Sequence, residues 1–340
     1  MNKRYKGIAA GDNNLSFRCD SYNTATVGDM INIGGYNISL DRREQGTDID
    51  FISHAHTDHI RAARSSKSLL TSDQTSMLIG AAYHIDDVER RRIPMPAGIR
   101  LINSGHMLGS KQLVVESDGE KLIYTGDFQL QKSKASPKID IEQADTVIID
   151  STYPYTEVRF DERERSEDEL KRWVGGRVNE GITIFGSYVM GKAQELIKIL
   201  NEIGIAPVVS RDISNVSKVY EKSGLRLDYL SMYDDVNECE EAMTSNFVGI
   251  TDNRSMKSIS RKLSYIHGRR VFTAVATGFS KIFDMNTDAQ FCISDHADIT
   301  QSLEYISRTG ARRVCTYGQN AERFAASLQA HGISATPIVI

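Results

Sequence analysis

The amino-acid sequence predicts an α/β protein whose chain contains regions with different patterns of secondary structure. Up to about residue 150, short apolar or alternating runs recur between turn signals, which is typical of strands. From about 153 to 290, strand-like and helix-like segments alternate, as in βαβ units whose parallel sheet is covered by helices. Strands and helices alternate again after residue 290. At 340 residues the chain is long enough for two domains of ordinary size.

The first region is predicted to be a series of short strands joined by tight turns. Gly34-Gly35 indicates a hairpin between strands 31–33 and 36–40, and Ser117-Asp118-Gly119 indicates a second turn. The other strands are predicted at 69–70, 99–102, 112–115, 121–125 and 146–150.

The second region and the tail are predicted to contain most of the helices. Ser166-Glu167-Asp168-Glu169 resembles a capping box, so we expect a helix from there through Trp173 to Val178. The charged run 161–165 before it is expected to face solvent. Further helices are predicted at 192–203, 214–222, 299–308 and 320–331, and strands at 182–185, 206–209, 246–250, 270–273, 290–293 and 312–316.

Composition excludes some classes of protein and leaves others open. The four cysteines are scattered and the longest apolar runs fall short of the roughly 20 residues that span a bilayer, so we expect a cytoplasmic protein without disulfides or membrane contact. The net charge of −4 does not by itself indicate a nucleic-acid partner. A locally basic groove could still bind one.

The segment His54-Ala55-His56-Thr57-Asp58-His59 carries the strongest chemical signal. Three imidazoles and a carboxylate follow the apolar run 49–53 within six residues. These are the donor groups that hold divalent metals, with zinc the first expectation.

Four more polar residues follow predicted strands: His106, Asp127, Asp150 and His296. Taken singly, a strand-end Asp more often caps a helix, and a Gly-flanked His is more often a turn residue. In this order after the histidine cluster, they predict one metal-dependent site.

These segments together resemble the metallo-β-lactamase superfamily. Asp41 resembles the first motif, which supports the metal ligands from behind. Asp150 and His296 resemble motifs A and B of the β-CASP branch. The segments 185–196, which includes Gly191 to Glu195, and 277–279 resemble parts of its inserted domain. The resemblance covers nearly the whole chain. It implies an αββα sandwich built from 1–152 and 291–340, with a β-CASP insertion at 153–290.

The resemblance also implies a role for each matched residue. His54, His56 and His106 would bind one zinc, and Asp58, His59 and Asp127 a second, with Asp127 bridging. Two such cations suit phosphodiester hydrolysis, because they acidify a water and neutralise the phosphate. His296 would be the acid that protonates the departing oxygen, oriented by Asp150, and Asp58 counts among the catalytic residues.

Tyr317 departs from the family pattern. RNA-cutting members carry a motif C histidine here as a further ligand of the second metal, and relatives that act on DNA often carry an apolar residue. We expect Tyr317 to pack beside the site or to bind phosphate; phenolate ligation to metal is the alternative. Cys315, two residues earlier, is expected to be a small buried hydrophobe, with a thiolate ligand as the alternative. The second metal site is therefore expected to be weak.

The sequence thus predicts a zinc-dependent nuclease with an expected two Zn²⁺ per chain, acting in RNA processing as an endonuclease or a 5′-exonuclease. Its expected partner is single-stranded nucleic acid, with RNA favoured over DNA, and a homodimer is left open. The alternatives are a DNA exonuclease in repair, a non-catalytic partner subunit that keeps the fold, and a hydrolase of small thioesters or lactams.

Overall fold

The computed structural model describes residues 30–33, 36–43, 46–117 and 119–338. Cys19, the Gly34-Gly35 turn and Asp118 lie outside the described residues. Within this part of the chain, no helix combines the length and apolar character needed to cross a membrane.

The secondary structure alternates throughout the chain. The strands are β1 Met30–Ile33, β2 Tyr36–Leu40, β3 Ile49–Phe51, β4 Leu69–Leu70, β5 Ile99–Asn103, β6 Lys111–Ser117, β7 Glu120–Tyr124, β8 Thr146–Asp150, β9 Ile182–Ser187, β10 Val208–Val209, β11 Leu230–Ser231, β12 Val248–Asp252, β13 Val271–Ala276, β14 Ala289–Phe291, β15 Arg313–Tyr317 and β16 Ala335–Pro337. The α-helices are α1 Asp73–Tyr83, α2 Val88–Arg91, α3 Arg163–Arg177, α4 Lys192–Asn201, α5 Arg211–Lys222, α6 Val236–Met243, α7 Asn253–His267, α8 Ile299–Thr309 and α9 Ala321–Ala330. Short 3₁₀ helices lie at Arg61–Arg64 and Gly278–Lys281.

Two sheets face each other in a sandwich. One contains β1–β4, and the other has the order β16-β15-β8-β7-β6-β5, with its β7, β8, β15 and β16 parallel. Alternate residues of a strand point to opposite faces, and β6 shows the consequence. Leu113 and Val115 pack with Phe51 between the sheets, whereas Val114 packs outward with Tyr305 of α8 and Phe324 of α9.

The third sheet belongs to the inserted region and is entirely parallel. Its order is β11-β10-β12-β9-β13-β14, and its central strand β9 is buried along its whole length, as expected of a strand covered on both faces. Phe185 packs toward α3 and α4, and Ile184 packs toward Met256 of α7. Helix α5 of this region packs against α1 of the sandwich through Val216 and Tyr220. The predicted α/β class, with parallel sheets and flanking helices, is confirmed.

The structure differs from the sequence prediction at several helices. The predicted capping box at 166–169 is wrong, because α3 already begins at Arg163 and Ser166 lies buried within it. Helices α1 and α7 were not predicted. Their N-caps are regular all the same: Ser72 accepts a hydrogen bond from the Thr75 amide, and Asp252 accepts from two amides of α7.

The division into two domains stays a prediction. The sheets follow the predicted boundaries closely, although β14 extends to Phe291, one residue past the end predicted for the insertion.

Gly278 lies where the end of β13 meets the sandwich. A Cβ at this position would stand 2.6 Å from the Tyr153 hydroxyl and 2.8 Å from both Phe160 Cζ and Ser294 Cβ. Only a residue without a side chain fits, so Gly278 sets how closely the inserted region approaches the segment that carries His296.

We therefore expect Gly278→Ala to lower the free energy of unfolding by about 1–3 kcal/mol, because neighbouring side chains must move aside. Urea unfolding monitored by circular dichroism measures it. Gly175→Ala in α3 is the control. A Cβ added at Gly175 would meet no atom within 4 Å, so this substitution should raise the free energy of unfolding by about 0.5–1 kcal/mol. Equal effects of the two substitutions would show that the close approach does not matter.

Candidate metal centre

The chemistry-bearing residues meet at one edge of the sandwich, in a cleft of about 1070 Å³ beside the inserted region. The strands β7, β8 and β15 are adjacent and parallel, so the residues at their carboxyl ends lie side by side, as is usual for sites in open α/β sheets. The site residues lie at or shortly after strand ends: His54, His56, Asp58 and His59 after β3, His106 after β5, Asp127 after β7, Asp150 in β8, His296 after β14 and Tyr317 in β15.

One carboxylate oxygen stands among four imidazoles. Asp127 Oδ2 lies 3.4 Å from His54 Nε2, 3.5 Å from His59 Nε2, 3.6 Å from His106 Nε2 and 3.8 Å from His296 Nε2. The four rings come from three separate segments of the chain, which the fold therefore brings to a single point.

The spacing within this cluster fits a tetrahedral metal site. His56 Nδ1 lies 3.2 Å from His54 Nε2 and 3.0 Å from His106 Nε2, and both of those atoms face Asp127 Oδ2. Four ligand atoms about 2.0–2.1 Å from a central zinc would be separated by roughly 3.3–3.4 Å. The donor atoms of His54, His56, His106 and Asp127 all lie within 4.8 Å of one another, so these residues fit a metal ion.

Hydrogen bonds on the far side of each ring fix which nitrogen points inward. His56 Nε2 lies 3.3 Å from the Met190 carbonyl, and His106 Nδ1 lies 2.9 Å from the Asp295 carbonyl. A carbonyl only accepts, so these nitrogens carry the hydrogen and leave a lone pair facing the centre. His54 Nδ1 is held 2.9 Å from the hydroxyl of Ser53. The inward-facing lone pairs are what a cation requires.

Electrostatics support the same interpretation. Burial lowers the pKa of His54 and His106 well below the ordinary value and that of His56 to about 4, so these rings are neutral and able to bind metal. Burial also lowers the pKa of His59, but the Asp127 and Asp41 carboxylates outweigh it and hold that pKa well above the ordinary value. Burial raises the pKa of Asp127 to about 7. The neutral rings of His54, His56 and His106 thus offer lone pairs to a cation, and the carboxylates of Asp127 and Asp41 favour positive charge at His59.

Asp58 and His59 stand beside this cluster. His59 Nε2 lies 3.5 Å from Asp58 Oδ2 and 3.5 Å from Asp127 Oδ2, whereas the Asp58 side chain is 81% exposed at the mouth of the cleft. Among the described residues, the second group of donor atoms that comes together is Asp127, Asp150 and His296. The predicted ligand set of a second metal, Asp58, His59 and Asp127, stays a prediction.

Asp41 is the acceptor at the centre of a buried hydrogen-bond network. Its carboxylate accepts from the Ser53 amide at 2.6 Å, the Ser53 hydroxyl at 2.7 Å, the Tyr124 hydroxyl at 2.7 Å and His59 Nδ1 at 2.9 Å. It thereby orients His59 directly and His54 through Ser53. Sequence analysis singled out Asp41 but missed Ser53 and Tyr124.

Asp150 and His296 form a hydrogen-bonded pair beside Asp127. Asp150 Oδ1 accepts from the amide and hydroxyl of Thr152, and its Oδ2 lies 3.1 Å from His296 Nδ1. Burial lowers the pKa of His296, but Asp127 and Asp150 raise it to about 9. The ring therefore carries a proton at neutral pH and presents Nε2 to the centre.

A buried ionic network beside the site was missed by sequence analysis. The Arg163 guanidinium pairs with Glu195, and Lys192 Nζ lies 3.0 Å from Glu195 Oε2 and 2.6 Å from Asp295 Oδ1. Arg163 also donates to the Ser294 carbonyl at 2.6 Å. The expectation that 161–165 faces solvent is therefore wrong for Arg163, which is buried by these partners.

Comparisons with known proteins agree with this geometry. The chain is 25% identical over 297 residues to a probable DNA ligase of Opitutus terrae, a match that covers 85% of this chain and 28% of that protein. It is 27% identical over 186 residues to an RNase J-like protein of Methanocaldococcus jannaschii, covering 46% of this chain and 44% of that one. It is 31% identical over 131 residues to cleavage and polyadenylation specificity factor subunit 3 of Dictyostelium discoideum, covering 36% and 16%. The predicted resemblance to the metallo-β-lactamase β-CASP nucleases is confirmed.

This chain thus spans less than half of the length of each of these curated relatives. A solved structure of a protein of unknown function from Enterococcus faecalis superposes with a TM-score of 0.54 at 12% identity, covering 83% of this chain and 78% of that one. That likeness concerns the fold alone. No protein-family profile matches the chain.

We expect Asp41→Asn to weaken zinc binding about 10- to 100-fold, because the amide cannot accept from all of these donors and His59 loses its orientation. Competition with a chromophoric chelator measures the dissociation constant. Asp50→Asn is the control, since Asp50 is equally buried but accepts from Ser39 and Thr47, away from the site. A similar loss of zinc affinity in both variants would contradict the role of Asp41.

The buried network generates a pH-dependent prediction. Burial raises the pKa of Glu195, but Arg163 and Lys192 outweigh it and hold that pKa well below the ordinary 4.5. The stability from ionised Glu195 is therefore complete above pH 4.5 and is lost as the pH falls toward the folded-state pKa. Glu195→Gln should cost about 3–5 kcal/mol at pH 7 and progressively less below pH 4.5, as measured by urea unfolding.

Glu304→Gln is the control for this substitution. Glu304 and Arg308 form an ion pair with both side chains about half exposed, so its loss should cost at most about 1 kcal/mol. A loss of stability in Glu195→Gln that equals the loss in Glu304→Gln, or that grows as the pH falls, would contradict the assignment of Glu195 as a buried, ionised partner of Arg163 and Lys192.

Proposed function

We propose that this protein is a metal-dependent nuclease that hydrolyses phosphodiester bonds, with RNA as its substrate. The observation that supports the proposal most strongly is the position of Asp127 Oδ2, between a set of inward-facing imidazoles and the Asp150–His296 pair. A metal site and a proton donor thus share one wall of the cleft. The relatives point to RNA, since their names include an RNase J-like protein and an endoribonuclease.

We infer that the metal is zinc, with two ions per chain. His54, His56, His106 and Asp127 would hold the first ion, and His59 and Asp58 would hold the second around the shared Asp127 oxygen. Such ions supply charge that neutralises the phosphate and lowers the pKa of an attacking water. The exposure of Asp58 supports the expectation that the second site is the weaker one.

His296 donates the proton in this mechanism. Its Nδ1–H is held by Asp150, so Nε2 is the atom that faces the scissile bond and protonates the departing oxygen. The Asp150 carboxylate orients the His296 ring and balances the positive charge of its protonated form. The amide and hydroxyl of Thr152 hold the Asp150 carboxylate in place.

The cleft walls fit a single strand of nucleic acid. Tyr188 and Phe283 line the cleft with more than half of their surface exposed, which suits stacking of unpaired bases. The cleft is also lined by Arg42, Arg61 and Arg254. Their positive charge suits the phosphate backbone of a nucleic acid, although the net charge of the whole chain is negative. The homodimer stays a prediction.

DNA is the second candidate substrate. The relative matched over 85% of this chain is named a probable DNA ligase, and Tyr317 replaces the histidine that RNA-cutting members carry. A DNA exonuclease would use the same metal centre and the same acid.

Incubation of the zinc-loaded protein with RNA and DNA single strands of matched sequence, labelled at either end, tests the proposal. We expect cleavage of RNA, and a fall in kcat of about 10²- to 10⁴-fold in His296→Ala with zinc content unchanged, because the proton donor is lost. End-label mapping then separates internal cutting from 5′-exonucleolytic cutting.

His331→Ala is the matched control, since His331 lies at the end of α9 and its ring bonds to the Ser327 carbonyl in its own helix, away from the site. It should leave the rate unchanged. Cleavage of DNA alone would favour the second candidate. No cleavage of either polymer by a protein with its zinc bound would contradict the nuclease proposal and favour a non-catalytic subunit.

A further inference from the structure

The hydroxyl group of Tyr317 is a buried polar group beside the candidate metal centre. The residue is only 6% exposed, and its hydroxyl has no hydrogen-bond partner among the described residues. Burying such a group unpaired costs free energy, so its retention calls for an acceptor other than those that the described part of the chain supplies.

The backbone fixes the Tyr317 side chain at the wall of the cleft. Tyr317 lies opposite Asp150 in the parallel register of β15 and β8, and its carbonyl accepts a hydrogen bond from Ser151 Oγ. Its ring packs on that of Tyr124 with centroids 4.8 Å apart, and both rings line the cleft beside Asp127. The side chain therefore has little freedom to turn elsewhere.

The neighbouring hydroxyl does not satisfy it. Tyr124 donates to Asp41 Oδ2 at 2.7 Å. The Tyr317 hydroxyl comes close enough to lower the pKa of Tyr124, yet the two do not reach hydrogen-bonding geometry.

The surroundings keep this hydroxyl a neutral donor. Burial, followed by Tyr124 and the carboxylates of Asp127, Asp150 and Asp41, raises the pKa of Tyr317 well above its ordinary value.

We propose that Tyr317 is a catalytic residue whose hydroxyl donates a hydrogen bond to a non-bridging oxygen of the scissile phosphate and does not ligate metal. This inference rests on the proposed nuclease function. Tyr317 lies opposite Asp150, which holds the proton donor, and lines the same cleft as Asp127, which faces the metal ligands. A phosphate bound in this part of the cleft would bring acceptor oxygens toward the hydroxyl.

The test uses Tyr317→Phe, which removes the oxygen and keeps the ring. We expect kcat on the preferred single strand to fall about 100-fold, with KM changed less than about threefold, because the donor acts mainly as charge develops on the phosphate. Zinc per chain, from elemental analysis, should stay at the wild-type value. The melting temperature should stay the same or rise, because a buried unpaired hydroxyl has been removed.

A phosphorothioate substrate identifies the oxygen that receives the hydrogen bond. Sulfur accepts hydrogen bonds poorly, so one of the two diastereomers at the scissile position should be cut more slowly by the wild-type protein. In Tyr317→Phe that extra penalty should disappear. A side chain that only fills space would leave the penalty unchanged.

Tyr305→Phe is the matched control. Tyr305 is equally buried, but its hydroxyl is paired with Gln112 on the outer face of the sandwich. Its loss should lower the melting temperature and leave kcat and both phosphorothioate rates unchanged.

The outcomes separate the two proposals. A wild-type protein that cuts neither RNA nor DNA would overturn the nuclease function and this inference together. Wild-type cleavage with unchanged kinetics in Tyr317→Phe would overturn this inference alone, as would a fall in zinc content, which would make Tyr317 a metal ligand.

Discussion

The structure around the cleft depends on the convergence of donor atoms on one point. The imidazole nitrogens of His54, His56 and His106 and one oxygen of Asp127 all lie within 4.8 Å of one another, while each of these histidines keeps its other nitrogen engaged elsewhere. Lone pairs at such distances repel one another unless a cation lies between them. The sandwich strands, the Asp41 network and the cleft itself are all arranged so that this cation can be held.

Residues of the inserted region help to position the imidazoles. The carbonyl of Met190 in this region fixes the tautomer of His56, whereas the carbonyl of Asp295, which follows the region in the chain, does the same for His106. Asp295 is in turn held by Lys192 and approached by Arg163, both of which pair with Glu195 in the interior. A shift of the inserted region against the sandwich would therefore disturb His56 directly through Met190, and His106 indirectly through the contact of Lys192 with Asp295. Removing one partner from a buried ionic network lowers the free energy of unfolding strongly, whereas the complete network contributes little to that free energy.

Much of the site could be predicted from the sequence because its residues lie at the ends of strands, and strand ends are readable from short apolar runs. His54 to His59, His106, Asp127, Asp150 and His296 meet in the cleft for this reason. Side chains whose partners are distant in sequence were harder to predict: Arg163 lies in a run of mixed charge that resembles a solvent-exposed segment, and only the fold shows that Glu195 and the Ser294 carbonyl enclose it. Helix α1 was missed because Thr75 and Ser76 interrupt its buried apolar face. Helix α7 was missed because few of its side chains are buried and it exposes Tyr265 and Ile266.

X-ray diffraction at the zinc absorption edge, from crystals grown with zinc, tests the central claim most directly. We expect an anomalous-scattering peak bounded by His54 Nε2, His56 Nδ1, His106 Nε2 and Asp127 Oδ2, at about 2.0–2.1 Å from each. A cluster without such a peak, its imidazoles linked only by protons or by an ordered water, would contradict it.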